Sequence, residues 1–293
     1  MSNTDTNPNH TQKPHTVVLF HGLCSTPLEV TFLAANLRKE GYVVEIPSFA
    51  GYAFGSDCTS AEDWEKLALD YVTRIQEEKP DHQISIGGVS MGAVLAMAVA
   101  EHLDHLHGLI LLSPTLIIDG WAVPWYRFLI PLGIALGLGN KIKYPEQEPY
   151  GVKNPQIRAY IRRQLEKQQT SAAGGASFTL NHLYQGDRLC KRVRNRLGQI
   201  TASTLIVHAI DDEVATTRNV DLIIEGIEST NKRVIYLGNS YHMITIDNER
   251  ETVDFEILSF LETSMLNMNN IEHLIEKYGF VSPELQRYLK NVD

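Results

Sequence analysis

The stretch Ile84-Ser-Ile-Gly-Gly-Val-Ser-Met-Gly-Ala-Val-Leu-Ala-Met-Ala-Val-Ala100 joins two apolar runs through Gly88-Val89-Ser90-Met91-Gly92. The first run has the composition of a buried strand, and the second that of a small-residue helix. A chain that turns this sharply from strand to helix holds its central residue in a strained conformation. Bulk must then be missing two residues before and two residues after it, which is where glycine stands. The pattern is that of a nucleophile elbow, with the Ser90 hydroxyl at the strand tip. The following helix points its unsatisfied N–H groups and positive dipole end at the same place, where a developing oxyanion could be stabilised.

Working outward, His15-Thr-Val-Val-Leu-Phe20 reads as a first buried strand, followed by the turn His21-Gly-Leu-Cys-Ser-Thr-Pro27 and a helix over Leu28–Lys39 that stops at Gly41. Tyr42–Ile46 is a second strand. Ala61–Glu78 is an amphipathic helix with Trp64, Leu67, Ala68, Tyr71, Val72 and Ile75 on one face. Leu106–Leu112 is again a continuous apolar strand, as a parallel sheet covered on both faces requires. The alternation then stops: no clean strand is legible from Ser113 to about Thr201. It resumes with strands at Thr204–His208 and Arg233–Leu237 and helices over Asn219–Glu228 and Glu249–Glu262. The fold class is therefore α/β, a mostly parallel central sheet flanked by helices, with a helical cap inserted after the strand that follows the elbow helix. The segments are a disordered tail at 1–15, a core at 16–113 and 202–264, a cap at 114–201 and a C-terminal helical extension at 265–293.

The bulk numbers narrow the function. The chain has 293 residues, 43% hydrophobic and 21% charged, with a net charge of −9. No basic stripe is present to replace phosphate counterions, so a nucleic-acid partner is excluded, and an anionic membrane surface is disfavoured on the same ground. Cys24, Cys58 and Cys190 have no paired spacing and read as reduced thiols in a cytoplasmic protein, with no metal site and no cofactor. The polar N-terminal stretch has no apolar core for a secretory signal. Trp121–Gly139 is the most membrane-like segment, but Pro124, Arg127 and Pro131 interrupt it.

A serine hydroxyl needs a base within hydrogen-bond reach and a third group to fix the tautomer of that base. For this elbow the acid and then the histidine should follow in sequence. Of eleven histidines, His242, in Gly238-Asn-Ser-Tyr-His-Met-Ile-Thr-Ile-Asp247, lies in the loop after the Arg233–Leu237 strand and before the final helix. That puts it on the same sheet edge as Ser90. The acid should end the Thr204–His208 strand, where both Asp211 and Asp212 could reach. Asp212 is favoured, and Glu213 is a more distant option. His208 reads as a packed, hydrogen-bonded histidine. Oxyanion donors are expected from the Met91 N–H and, through the turn at Gly22, from the Leu23 N–H, with His21 bracing that loop.

These residues together resemble the serine α/β-hydrolases, most closely small bacterial carboxylesterases and monoacylglycerol lipases. His21-Gly22-Leu23, Gly88-Val-Ser90-Met-Gly92, the acidic run around Asp212, and Ser240-Tyr-His242-Met-Ile-Thr-Ile-Asp247 carry the likeness. It implies Ser90, Asp212 and His242 as a catalytic triad and Leu23 and Met91 as backbone oxyanion donors. Such a triad acts on a small-molecule ester and needs neither metal nor cofactor, and the apolar cap residues point to an apolar acyl chain. The likeness is weak through the cap, whose apolar segment would line an acyl pocket or lie on a membrane. A thioesterase or acyltransferase with the same triad, a silent scaffold that binds a ligand, and a peptidase of the proline-iminopeptidase kind are the competing readings. For the last of these, no acidic clamp for an amine is identifiable from the residues alone.

Overall fold

A computed structural model of the protein describes residues 14–123 and 125–263. The expected extension at 265–293 and nearly all of the expected tail lie outside the described residues. The chain opens with β1 (His15–Phe20), a short 3-10 turn at Pro27–Val30 and α1 (Thr31–Lys39), then β2 (Val43–Glu45) and α2 (Ala61–Glu78). Next come β3 (Gln83–Val89), α3 (Met91–Ala100) and β4 (Gly108–Leu112). The cap follows: a 3-10 turn (Trp125–Leu129), α4 (Ile130–Ala135), β5 (Lys143–Pro145), α5 (Pro155–Gln168), β6 (Thr170–Ser171), β7 (Gly174–Gly175), β8 (Ser177–Thr179) and α6 (Leu180–Arg194). The chain returns to the core through β9 (Thr204–Ala209), α7 (Arg218–Gly226), β10 (Lys232–Leu237) and α8 (Arg250–Thr263).

Six strands form one sheet in the order β10-β9-β4-β3-β1-β2, all pairs parallel. Because side chains alternate across a strand, β1 sends Val18 and Phe20 to one face and Val17 and Leu19 to the other. The first pair packs with Trp64, Val72, Met97 and Val193, under α2, α3 and α6. The second packs with Leu33, Leu37, Ile257 and Phe260, under α1 and α8. This two-sided covering is why the strands read as continuous apolar runs. After β2 the chain crosses to the other side of β1, so the carboxyl ends of β1 and β3 flank the switch point at which such sheets bind ligands.

Helix starts follow their local chemistry. Ser60 and Asp63 form a capping box at α2, and Asn154 with Pro155 opens α5. One difference from the sequence reading stands out. The cap is not purely helical, since β5 pairs with β8 and β6 with β7, both antiparallel. Strands of two or three residues are too short to express a period of two, and Gly174-Gly175 has no side chains to alternate. The Trp121–Gly139 run breaks into a 3-10 turn and one short helix, leaving Trp125 80% and Phe128 66% exposed. By contrast, α6 is joined to the core: Arg188 meets Glu62 at 2.6 Å, Arg192 meets Glu65 at 2.7 Å, and the Ala61 N–H donates to Gln185. Among the described residues no helix is long and apolar enough to cross a membrane.

Candidate active site

Ser90 sits between β3 and α3 at φ 57°, ψ −119°, a conformation costly for any residue with a side chain. The flanking glycines are required by space. A Cβ on Gly88 would lie 2.4 Å from the Gly92 carbonyl carbon, and one on Gly92 would lie 2.2 Å from the Phe20 carbonyl oxygen. The elbow is thus pressed against the end of β1, bringing the His21-Gly22-Leu23 loop beside it. The Ser90 N–H is anchored to the Leu112 carbonyl at 2.8 Å. Ser90 Oγ lies 3.4 Å from Thr115 Oγ1, and Thr115 donates its own proton to the Ser113 carbonyl. Ser90 is therefore the donor in this weak contact, and its hydroxyl makes no hydrogen bond to His242.

His242, 5% exposed, is held on three sides. Its Nδ1 lies 2.7 Å from Asp212 Oδ2, its N–H donates to Glu213 Oε2 at 3.1 Å, and its carbonyl accepts from Ser113 Oγ at 2.7 Å. Asp212 Oδ1 accepts from the Val214 and Ala215 N–H groups, which fixes the carboxylate. Asp211 goes elsewhere, to an exposed ion pair with Lys153 at 2.8 Å. His208 is fully buried and bonded to the Ala215 carbonyl. His21 Nδ1 donates to the Gly22 carbonyl, and the Tyr52 hydroxyl donates to the His21 carbonyl at 2.9 Å. Met91 occupies the first position of α3, where a helix leaves its N–H groups without intrahelical partners.

The electrostatics follow from this burial. Burial opposes the His242 imidazolium, but the Asp212 carboxylate, the hydrogen bond to it, and Glu213 and Glu29 overcome that penalty and lift the histidine to about 9. Burial also works against the Asp212 carboxylate, and His242 beside it more than compensates, holding it below the usual range. Burial pushes Glu29 up to about 7, partly offset by the Gly22 N–H that it accepts and by His242. Glu146, reaching in from the cap, is raised to about 7 by burial and by its neighbour Glu213. Glu213 is itself raised, by burial foremost.

The structure therefore brings His242 and Asp212 into contact and sets Ser90 and the His21–Leu23 loop at the same sheet edge. Three glutamates that sequence reasoning did not gather, Glu29, Glu146 and Glu213, also face His242. They are 117 and 67 residues apart in the chain, so no local pattern could have grouped them. Thr115 gives no sequence signal either.

Against known proteins, the model of the serine aminopeptidase S33 family (Hydrolase_4) matches residues 11–250. The chain belongs to this family. Within it the protein is an α/β-hydrolase of the esterase and lipase type. It is 28% identical over 253 residues to a thermostable monoacylglycerol lipase of Bacillus sp. (strain H-257), covering 84% of this chain and 90% of that one. It is 24% identical over 250 residues to a carboxylesterase of Bacillus subtilis (strain 168), covering 84% and 92%. The solved structure of a Paleococcus ferrophilus monoacylglycerol lipase shares the fold, with TM-score 0.70, 20% identity, and 86% and 96% of the two chains covered.

Proposed function

We propose that this S33-family hydrolase cleaves carboxylic esters with an apolar acyl chain, of the monoacylglycerol type, through an acyl-enzyme on Ser90. His242 takes the Ser90 proton, and the alkoxide attacks the ester carbonyl. The Leu23 and Met91 N–H groups stabilise the oxyanion, and His242 returns the proton to the leaving alcohol; water then repeats the cycle in reverse. Asp212 holds the imidazole tautomer and balances its charge. The observation that carries this reading is the buried 2.7 Å His242–Asp212 contact at the sheet edge where the strained Ser90 turn ends. The names of the two bacterial relatives support an ester as the substrate.

The exposed cap residues Trp125, Phe128, Leu132 and Leu136 form the face that would meet the lipid aggregate supplying such an ester. Trp125→Ser should then slow hydrolysis of emulsified long-chain esters and spare soluble short-chain ones. Free thiols at Cys24, Cys58 and Cys190 fit a reducing cytoplasm.

The family's description makes an amine-bearing substrate the second reading, and the glutamates around His242 favour it in charge. Two of them are already engaged, Glu29 by the Gly22 N–H and Glu213 by the His242 N–H. That leaves Glu146 alone for an ammonium group, and the ester reading stands ahead. The deciding experiment compares wild type and Ser90→Ala on aryl esters of increasing chain length, on aminoacyl nitroanilides, and with a fluorophosphonate probe. Ester turnover and labelling, both abolished in Ser90→Ala, are expected. Turnover of the nitroanilides alone would replace the substrate class, and labelling that survives in Ser90→Ala would overturn the nucleophile.

A further inference from the structure

Glu213 is 2% exposed, and burying a carboxylate costs several kcal/mol unless its partners compensate. Its partners lie on two different parts of the molecule. The side chain accepts the His242 N–H at 3.1 Å, while its own carbonyl accepts the Ala122 N–H from the first turn of the cap at 3.0 Å. The fit there is tight enough that a Cβ on Gly120 would lie 2.1 Å from the Glu213 carbonyl oxygen. With Ser113 Oγ on the His242 carbonyl, the base is held at both its N–H and its C=O.

We propose that Glu213 is a positioning residue for His242: its carboxylate anchors the His242 main chain and places a second negative charge beside the imidazolium formed when Ser90 gives up its proton. This rests on the roles proposed above for Ser90, His242 and Asp212. In the step concerned, the Ser90 O–H bond breaks and an Nε2–H bond forms on His242. The resulting positive charge is stabilised by Asp212 at the ring and by Glu213 at the main chain until the proton leaves with the alcohol. The other titratable groups facing His242 are Glu29 beside the His21–Leu23 loop, Glu146 on the cap and His208 on β9. Of the carboxylates other than Asp212, Glu213 is the one hydrogen-bonded to the His242 residue itself. Burial raises the Glu213 carboxyl above its ordinary value, and His242 beside it opposes that rise.

The test separates charge from shape. Glu213→Gln keeps an oxygen that can accept the His242 N–H but removes the charge, whereas Glu213→Asp keeps the charge on a shorter arm. The His242 titration is followed by NMR in the full chain carrying Ser90→Ala, with the signal assigned by its loss in His242→Gln. The acid limb of kcat/KM is measured in the Ser90 forms. In Glu213→Gln the His242 midpoint and the acid limb should both fall by about one pH unit, with kcat down roughly tenfold and KM within about twofold. In Glu213→Asp the midpoint should stay near wild type. A midpoint unmoved in Glu213→Gln, with only stability or kcat reduced, would reduce Glu213 to a packing role. If Glu213→Gln does not fold, a midpoint in Glu213→Asp displaced by a unit or more overturns the proposal, and one near wild type supports it. Because the titration needs no substrate, a wild type that hydrolyses no ester would sink the proposed function and leave this test readable.

Discussion

His242 Nδ1 lies 2.7 Å from Asp212 Oδ2 in a buried pair, while Asp211, one residue earlier, turns outward to Lys153. Two adjacent carboxylates of the same kind thus have opposite environments. Asp212→Asn should lower kcat by several orders of magnitude, on the order of the ten-thousandfold seen for the equivalent change in serine proteases. Asp211→Asn should stay within a few-fold of wild type, since an exposed ion pair contributes about 1 kcal/mol or less. Steady-state kinetics of both variants on one soluble ester decides it. Similar losses in the two would mean that the assignment of the acid is wrong.

The acid limb of the pH–rate profile should be shifted upward. In the proposed mechanism His242 can take a proton only when neutral, and its neighbours raise it to about 9. Activity should therefore climb from pH 7 towards 9, with kcat/KM at pH 7 about one-hundredth of the plateau. A profile already flat at pH 7 would show that the free enzyme does not hold the imidazolium in this way.

Gly92→Ala should unfold the elbow or displace it. The new methyl would lie 2.2 Å from the Phe20 carbonyl oxygen, which belongs to a central strand and cannot move aside. A loss of several kcal/mol in urea unfolding, together with loss of fluorophosphonate labelling, is expected. Gly41→Ala is the comparison: its φ of 90° gives strain, but no atom lies within 4 Å of the added Cβ. The smaller cost there, about 1 kcal/mol, separates overlap from conformational strain.

His15 should make the protein acid-sensitive. Burial foremost, with His107 and His82 beside it, lowers this histidine to about 3. Between the ordinary value of 6.5 and about 3 the unfolded chain holds a proton that the folded chain lacks. This group therefore contributes full stability above pH 6.5 and loses it as pH falls, by at most about 1.4 kcal/mol per unit. Glu29, Glu101 and Glu146, each raised to about 7 and led by burial, act in the opposite direction between 4.5 and 7. The difference between wild type and His15→Gln in urea midpoints at pH 7 and pH 5 isolates the histidine. Glutamine can keep the bond to Ser85 Oγ while losing the titration. Equal pH dependence in the two proteins would rule out the histidine as its source.

The core was legible in the sequence because each of its elements carries a local cause. Apolar runs of five to seven residues can be buried on both faces only in a covered parallel sheet, and the glycines around Ser90 report a backbone that tolerates no side chain. Order along the chain was enough to nominate His242 and the acidic pair, since successive strands of such a sheet end on one edge. The cap was legible only as an interruption. Its strands are two or three residues long, and its aromatic face is defined by what it fails to pack against.

The sequence favoured Asp212 over Asp211 without showing what holds it, and the tertiary structure supplied that: a turn in which the Val214 and Ala215 N–H groups capture one Asp212 oxygen while the other meets His242. The tertiary structure alone gathered Glu29, Glu146 and Glu213 around His242 from three distant segments, since proximity across a fold leaves no periodic trace in the chain. The sequence by itself determined that there is a Ser90 elbow and where its edge of the sheet lies, because those follow from steric limits within five residues and from strand order. How strongly the base at that edge holds its proton is set by the charges packed around it, and only the folded chain brings them together.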